Sequence, residues 1–340
     1  MHANLRTSDS RLPRRDERSN NRSGDNTHSK KTSIKFEEEN MTPTLQTQAL
    51  VESRRQYRYI LMDVFTDTPF AGNPLAVFPD AQSLDGEAMA RIARELNLSE
   101  TVFITDPLRC GRMSIKIFTP GGEIPFAGHP TVGTAWLMRA LGLHDGRSPL
   151  VIEESVGDIP IHFEGSRARL TTARPLQISE CSLTIAQAAE VLGLSMSTII
   201  TQPIIASCGV PYHLIEISDL NNLGKVQLDI AALQRILPDP DNRDLYLYVR
   251  LPDYQLRTRM FAPAVGIPED PATGSAAAPL IGYLSGQESF QGMRTWKVIQ
   301  GIEMDRPSHI HGQVEIDGRD IIAIHISGDA VIIGEGNLYL

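Results

Sequence analysis

The apolar pattern of the chain repeats in its two halves. In the first half, short apolar runs typical of strands lead into a turn rich in Gly and Pro at 119–130, which opens into a helix from Thr131 to Leu141. In the second half, similar runs lead into a Gly/Pro turn at 268–275 and a helix from Ala276 to Leu284. Both helices are apolar nearly all round, so both should be buried. The predicted strands are 59–65, 75–78, 101–104, 113–118, 212–217, 245–251, 256–261, 296–299, 312–316, 321–326 and 330–333.

A helix that is apolar on every side has to be enclosed, and the strands of its own half can provide the cover. The pattern therefore predicts an α+β fold of two similar lobes, each a β-sheet wrapped around a central helix. The lobes are placed at 56–178 and 179–340, with a return of the last strand to the first lobe left open. The two Gly-rich turns are then expected to face each other across a cleft.

Composition and charge narrow the classes of function. Residues 1–55 are polar and hold few large apolar side chains, so they are predicted to form a disordered tail. The net charge of −9 does not suit binding to nucleic acid or to an anionic membrane surface, so neither partner is expected. No apolar run is long enough to span a bilayer and no N-terminal stretch resembles a secretory signal, which predicts a cytoplasmic protein. The three cysteines fit no zinc-binding spacing, and no metal site is expected.

The two Gly-rich turns have features of a binding site. Gly128 in the first turn, and Gly274 with Ser275 in the second, leave room for a ligand to approach the backbone. Each turn opens directly into a helix, so the free N–H groups and the positive dipole end of that helix point at the turn. Two such helix ends at one cleft would bind a carboxylate or a developing enolate. Alternatively, the glycines serve only tight turns and close packing.

Three side chains near these turns could carry chemistry, and each also has an ordinary structural explanation. His129 lies at the mouth of the first helix, where the dipole favours a neutral, hydrogen-bonding imidazole, although a lone histidine is commonly a surface or core residue. Asp270 lies just ahead of the second helix, where a carboxylate can simply cap the N-terminus. Glu100 lies between a turn and a strand, where a solvated glutamate is common.

Five short motifs occur in a characteristic order along the chain. In that order they resemble the PhzF-like family of phenazine biosynthesis, which has the diaminopimelate-epimerase fold. The resemblance covers roughly residues 57–336, and several motifs in register are more specific than any one of them. The motifs are Gly72-Asn73-Pro74, Asn97-Leu98-Ser99-Glu100-Thr101, Phe118-Thr119-Pro120 with Glu123, Gly128-His129-Pro130-Thr131 and Glu269-Asp270-Pro271-Ala272-Thr273-Gly274-Ser275.

The resemblance implies a cofactor-independent isomerase that acts on a small-molecule substrate. In the reaction characterised for the family, a dihydro-hydroxyanthranilate is isomerised as a proton moves between ring carbons. Carried over by motif, Glu100 is the catalytic acid/base, and Asp270 and His129 complete the catalytic set. Many family members pair, so the resemblance also implies a homodimer. The substrate-binding residues implied in the same way are Gly128, Gly274 and Ser275.

Two alternatives to this isomerase remain open. Related epimerases and racemases use two cysteines, one at each helix start, but neither turn of this chain contains a cysteine, so a two-thiol racemase is not expected. An epimerase or racemase could instead use Glu100 and Asp270 as opposed bases. A protein that kept the fold but only binds a small molecule is the other alternative. The chain also departs from the family at Asp305, where Gly is common.

Overall fold

The computed structural model describes residues 54–180 and 183–340, so the predicted tail at 1–55 lies, except for its last two residues, outside the described residues. The described residues form a mixed α/β structure in which eighteen strands belong to one continuous hydrogen-bonded network. The strands are β1 (Gln56–Val64), β2 (Asn73–Phe78), β3 (Glu100–Arg109), β4 (Arg112–Thr119), β5 (Gly122–Ile124), β6 (Leu150–Glu154), β7 (Gly157–Glu164), β8 (Arg167–Thr171), β9 (Gln177–Glu180), β10 (Ile204–Ser207), β11 (Pro211–Glu216), β12 (Leu245–Leu251), β13 (Gln255–Ala262), β14 (Ile267–Asp270), β15 (Gly292–Gln300), β16 (Ser308–Asp317), β17 (Asp320–Gly328) and β18 (Ala330–Tyr339).

Six α-helices accompany the strands within residues 54–180 and 183–340. None of these helices is long and apolar enough to cross a lipid bilayer. The helices are α1 (Gly86–Leu96), α2 (Gly128–Ala140), α3 (Ile185–Leu192), α4 (Leu220–Gly224), α5 (Ile230–Ile236) and α6 (Gly274–Gly286).

Strand β1 joins the beginning of the described chain to its end. It pairs antiparallel with β2, where Met62 opposes Leu75, and with β18, where Tyr57 opposes Leu338. Strand β3 runs parallel to β2, and α1 supplies the crossover connection that two parallel neighbours need. The end of α1 and the beginnings of β2 and β3 therefore lie side by side.

Helices α2 and α6 are buried, as their apolar patterns predict. Helix α2 packs against β1, β2, β3, β6, β8 and β18, and α6 packs against β10, β11, β15, β16 and β17. Small residues allow this close packing, because a Cβ atom on Gly133 would lie 2.7 Å from Cγ2 of Val64. A Cβ atom on Gly282 of α6 would likewise lie 2.6 Å from Cδ1 of Ile324. The strands can approach both helices only because these side chains are missing.

Both buried helices begin earlier than the sequence pattern predicts. Helix α2 begins at Gly128 rather than Thr131, and α6 begins at Gly274 rather than Ala276. Neither start has a side-chain cap: Ala127 precedes α2, and the Thr273 hydroxyl before α6 donates to a nearby carboxylate instead. The common capping signal is therefore missing from both starts. As a result, the side chain of His129 belongs to the first turn of α2.

Candidate active site

Glu100 lies at the beginning of β3, shortly after a residue in the left-handed conformation that follows α1. Helix α1 ends at Leu96, and the capping residue that follows, Asn97, has a φ of +50°, which suits asparagine better than most residues. Three residues later, Glu100 opposes Leu75 of β2. Its side chain is 12% exposed, and among the described residues its buried Oε2 atom has no hydrogen-bond partner. This carboxyl group is poorly solvated, and one of its oxygens can still accept a hydrogen bond or a proton.

His129, in the first turn of α2, faces Glu100. Its Nε2 atom lies 3.5 Å from Oε2 of Glu100, and its side chain is only 5% exposed. Burial lowers the pKa of His129 to about 3, so the imidazole is neutral at physiological pH. A neutral ring can donate from one nitrogen and accept at the other.

The amide of Asn73, at the start of β2, connects the two turns. Its Nδ2 atom donates to Oδ1 of Asp270 at 2.9 Å and to the Ala272 carbonyl at 3.0 Å, and it lies 3.3 Å from Nδ1 of His129. The Ala272 carbonyl can only accept, which defines the orientation of the amide. Because Nδ2 can only donate and its two protons already serve Asp270 and Ala272, Nδ1 of His129 can take part only as the acceptor of a shared hydrogen bond. The ring proton then lies on Nε2, on the side of Glu100.

Asp270 ends β14, and hydrogen bonds hold its turn from several sides. One carboxylate oxygen accepts from the Thr273 hydroxyl and the other from Asn73. The Nε2 atom of Gln300 donates to the Asp270 carbonyl at 2.8 Å and to Oγ1 of Thr273 at 3.0 Å. The Asp270 side chain does not cap α6, so the structure does not support that alternative explanation for it.

The N-termini of α2 and α6 approach each other directly. A Cβ atom on Gly128 would lie 3.4 Å from the amide nitrogen of Ser275 and 3.6 Å from Cα of Gly274. Among the described residues no side chain caps either start, so the free N–H groups and positive dipole ends of both helices meet at one place. The Ser275 hydroxyl, 2.7 Å from the Tyr212 hydroxyl, adds a polar group there. This arrangement is suited to an anionic group of a ligand.

Burial raises the proton affinity of the two carboxyl groups of the site. Burial and then the negative charge of Asp270 raise the pKa of Glu100 well above its usual range. Burial also raises the pKa of Asp270, although hydrogen bonds from Thr273, Asn73 and Ser99 act in the opposite direction. Carboxyl groups that interact in this way titrate as a pair. One can hold a proton while the other holds the charge, a combination that serves general acid–base catalysis.

Neither of the two described cysteines belongs to the turn at 119–130 or to the turn at 268–275. Cys110 is exposed, and burial raises the pKa of Cys208 to about 12. Cys181 lies outside the described residues. Within residues 54–180 and 183–340, no three His, Cys, Asp or Glu side chains are grouped closely enough to hold a metal ion. The side chains gathered at the helix starts carry carboxyl, imidazole, amide and hydroxyl groups.

All six residues that the sequence analysis predicts for the site lie together, while their roles stay predictions. Asn73, Tyr212 and Gln300 also contact the site, and none of them was predicted from the sequence. Asn73 belongs to a motif that carries the resemblance, and a side-chain amide between Gly and Pro was a usable signal. Tyr212 and Gln300 lie in ordinary strand sequence, where no local pattern marks them. The six predicted residues are Glu100, His129, Asp270, Gly128, Gly274 and Ser275.

Comparison with known proteins assigns the chain to a family. Residues 62–336 match the phenazine biosynthesis-like protein family, PhzC-PhzF. The chain belongs to this family. A trans-2,3-dihydro-3-hydroxyanthranilate isomerase of Pseudomonas aeruginosa is 36% identical to this PhzC-PhzF protein over 298 residues, which cover 84% of this chain and 100% of the relative.

Two further comparisons agree with this assignment. An uncharacterised isomerase of Mesorhizobium japonicum is 37% identical over 300 residues, covering 83% of this chain and 98% of the relative. A solved PhzF-family structure from Bacillus anthracis has a TM-score of 0.77 at 24% identity, covering 84% of this chain and 100% of that chain, and shows the shared mixed α/β fold. The resemblance seen in the motifs is confirmed, and this PhzC-PhzF protein is an isomerase.

Proposed function

We propose that the protein isomerises a small cyclic amino and hydroxy acid of the trans-2,3-dihydro-3-hydroxyanthranilate type, without a cofactor, and that Glu100 moves the proton. One observation carries the proposal: the buried, unpartnered Oε2 of Glu100 lies 3.5 Å from Nε2 of His129, in the same site as the two helix starts. The name of the Pseudomonas aeruginosa relative supplies the substrate class.

In the proposed reaction, the ionised carboxylate of Glu100 removes a proton from one ring carbon and becomes a neutral acid. The electron pair of the broken C–H bond spreads into the conjugated substrate, where the helix starts and Ser275 stabilise the added negative charge. Glu100 then returns the proton to another ring carbon, so that no atom is gained or lost. One carboxyl group is sufficient because both carbons are reached from the same face of the ring.

Asp270 favours a second candidate, an epimerase or racemase. Its negative charge is close enough to raise the pKa of Glu100, so two carboxyl groups share one buried site. In this alternative, Glu100 and Asp270 act as opposed bases on the two faces of one carbon. Inversion of a stereocentre with deuterium uptake from D2O would identify that reaction.

We also infer that two similar lobes, divided near residues 178–179, form the site between them. Helix α2 packs mainly on strands from the first half of the chain and α6 on strands from the second half, which supports this division. Their N-termini lie together at the proposed site. The pairing of β18 with β1 fits a return of the last strand to the first lobe.

The proposal is tested by incubating the purified protein with trans-2,3-dihydro-3-hydroxyanthranilate and with other small cyclic amino and hydroxy acids. Proton NMR follows the ring protons. We expect new ring-proton signals with the dihydro-hydroxyanthranilate and weaker or no turnover with the rest of the panel. Thermal stabilisation without turnover would indicate a binding protein. The absence of both stabilisation and turnover would contradict the proposed substrate class.

A further inference from the structure

The segment Gly301–Pro307, between β15 and β16, contacts both turns that carry residues of the site. Gly72, in the turn between β1 and β2, donates its N–H to the Pro307 carbonyl at 3.1 Å. At the other end of the segment, a Cβ atom on Gly301 would lie 2.6 Å from the Pro271 carbonyl oxygen, in the turn that precedes α6. One short segment of the second half thus connects the two turns.

Within this segment, Arg306 makes three hydrogen bonds to the turn between β1 and β2 and to the strand before it. Its Nε donates to the Gly72 carbonyl and its Nη2 to the Ala71 carbonyl, both at 2.8 Å. The Nη2 atom also donates to Oδ1 of Asp63, whose side chain has 0% exposure. The other oxygen of Asp63 accepts from the Phe70 N–H at 2.7 Å. A planar guanidinium can donate to the Gly72 and Ala71 carbonyls and to Asp63 at the same time, whereas a single ammonium group cannot.

Besides its internal hydrogen bond from the Ala71 N–H to the Thr68 carbonyl, this turn has contacts from outside, and one of its residues has an unfavourable conformation. Phe70 has a φ of +68°, a left-handed conformation that is uncommon for a bulky residue. Its side chain is 72% exposed and buries little apolar surface in return. The hydrogen bonds from Arg306 and to Asp63 therefore hold the backbone of the turn.

We propose that Arg306 is a positioning residue, which acts on the site through the Gly72 carbonyl and the residue that follows, Asn73. The Asn73 amide donates to Asp270 and lies against His129, so a shift of the turn displaces it from both. The inference rests on the proposed function, because it gives Arg306 a part in the geometry of that same site.

The test replaces Arg306 with Lys, which keeps a cation for Asp63 but cannot bind both backbone carbonyls. We expect a folded protein whose kcat falls about 10- to 100-fold, with a smaller change in KM, because the substrate binds but the acid–base groups are displaced. The pH profile should also move. Asn73 lowers the pKa of Asp270 through its hydrogen bond, so losing that bond raises the pKa of Asp270 and keeps it neutral to higher pH. The weaker repulsion lowers the pKa of Glu100 and shifts the acidic limb to lower pH.

Arg257→Lys is the matched control variant. Arg257 pairs with Glu303 of the same segment at 2.7 Å, and the two side chains are 15% and 17% exposed. In the part of the chain that the structure describes, this pair forms no hydrogen bond to either turn. We expect kcat and the pH profile of this control to match the wild-type protein. An equal loss of kcat in both variants, or a wild-type kcat and pH profile in Arg306→Lys, would overturn the inference.

Hydrogen–deuterium exchange separates this inference from the proposed function, because it needs no substrate. The amides of Phe70 and Gly72 are hydrogen-bonded to Asp63 and Pro307. Peptides covering residues 64–74 should therefore exchange about tenfold faster in the R306K variant and at the wild-type rate in the R257K control. Unchanged exchange in R306K would overturn the inference.

Two further outcomes would change which measurement tests the role of Arg306. If the wild-type protein does not turn over the proposed substrate, the proposed function fails, and exchange alone decides whether Arg306 holds the turn. If Arg306→Lys does not fold, the double variant Asp63→Asn/Arg306→Gln takes its place, because it removes the buried charge together with its partner. The same loss of kcat and the same faster exchange are expected for the double variant, and wild-type values would overturn the inference.

Discussion

Glu100 and Asp270 show how much of this site is decided by the surroundings of single residues. Both are carboxyl groups taken out of water, and the charge on Asp270 makes ionisation of Glu100 less favourable. The neutral ring of His129 lies beside this carboxyl group, with Nε2 at 3.5 Å from Oε2 of Glu100, and adds no positive charge that would favour ionisation. Glu100 is thus a base made stronger by its raised pKa.

The pH dependence of turnover should report this carboxyl pair. Because Glu100 must be ionised to remove a proton, kcat/KM should rise with pH, along a limb placed above the usual range of glutamate. Asp270→Asn removes the repelling charge, lowers the pKa of Glu100 and should move that limb to lower pH, while the maximal rate falls. A pH–rate series on both proteins checks this prediction. A limb at the same pH in both would contradict the electrostatic coupling of the two carboxyl groups.

Glu154, at the end of β6, is another buried acid near the start of α2. The hydroxyl of Thr131 lies 2.7 Å from the Ala127 carbonyl and 2.6 Å from Oε1 of Glu154. A hydroxyl has one proton, and the carbonyl can only accept, so both contacts are hydrogen bonds only if Glu154 is protonated. Burial raises the pKa of Glu154 to about 8, in agreement with this geometry.

Glu154 should make the stability of the protein depend on pH. An acid whose pKa is raised in the folded state stabilises the fold fully below its unfolded pKa, near 4.5, and loses this contribution as the pH rises through about 8. The free energy of unfolding should therefore decline over this interval in the wild-type protein and decline less steeply in Glu154→Gln. Urea unfolding at a series of pH values measures both slopes. Equal slopes would show that Glu154 is already ionised in the folded protein.

At the scale of elements, helices α2 and α6 are where packing and chemistry meet. Their small residues let strands approach, and their uncapped starts lie beside each other in the site. The same lack of side chains that permits burial therefore leaves backbone N–H groups free for a ligand. Helices α4 and α5 differ from α2 and α6, because the side chains of Asp219 and Asp229 cap their starts. Both helices are too short for an apolar period to predict them from the sequence.

Gly133→Ala tests the packing of α2. The added Cβ would lie 2.7 Å from Val64 and 2.8 Å from Leu75, so the core must shift to accept it. We expect a loss of about 1–3 kcal/mol in the free energy of unfolding. Gly86→Ala is the control, since among the described residues no atom outside its own helix backbone and chain neighbours lies within 4 Å of its Cβ position. It should be at least as stable as the wild-type protein, because Ala favours a helix more than Gly does. A Gly133→Ala variant as stable as this control would contradict the close packing of α2 on β1 and β2.

At the scale of the whole molecule, the sequence predicts the individual residues of the site better than the contacts that join those residues. Periodicity finds α2 and α6, and ordered motifs bring Glu100, His129 and Asp270 to attention because each motif is local. The contacts that join these motifs are not local: Asn73 and Asp270 are 197 residues apart, and Arg306 and Gly72 are 234 apart. No local sequence pattern in one segment predicts its contact with the other segment, so these contacts are known only from the folded structure.

The central claim is that Glu100 carries the proton, and isotope exchange tests it most directly. The wild-type protein, Glu100→Gln and a control, Glu153→Gln, are each incubated with trans-2,3-dihydro-3-hydroxyanthranilate in D2O and followed by proton NMR. Glu153 is a suitable control because its side chain is 50% exposed and pairs with Arg112 at the surface. We expect Glu100→Gln to lose isomerisation and deuterium exchange by about 10²- to 10⁴-fold while the control keeps both. Wild-type turnover in Glu100→Gln would contradict the central claim.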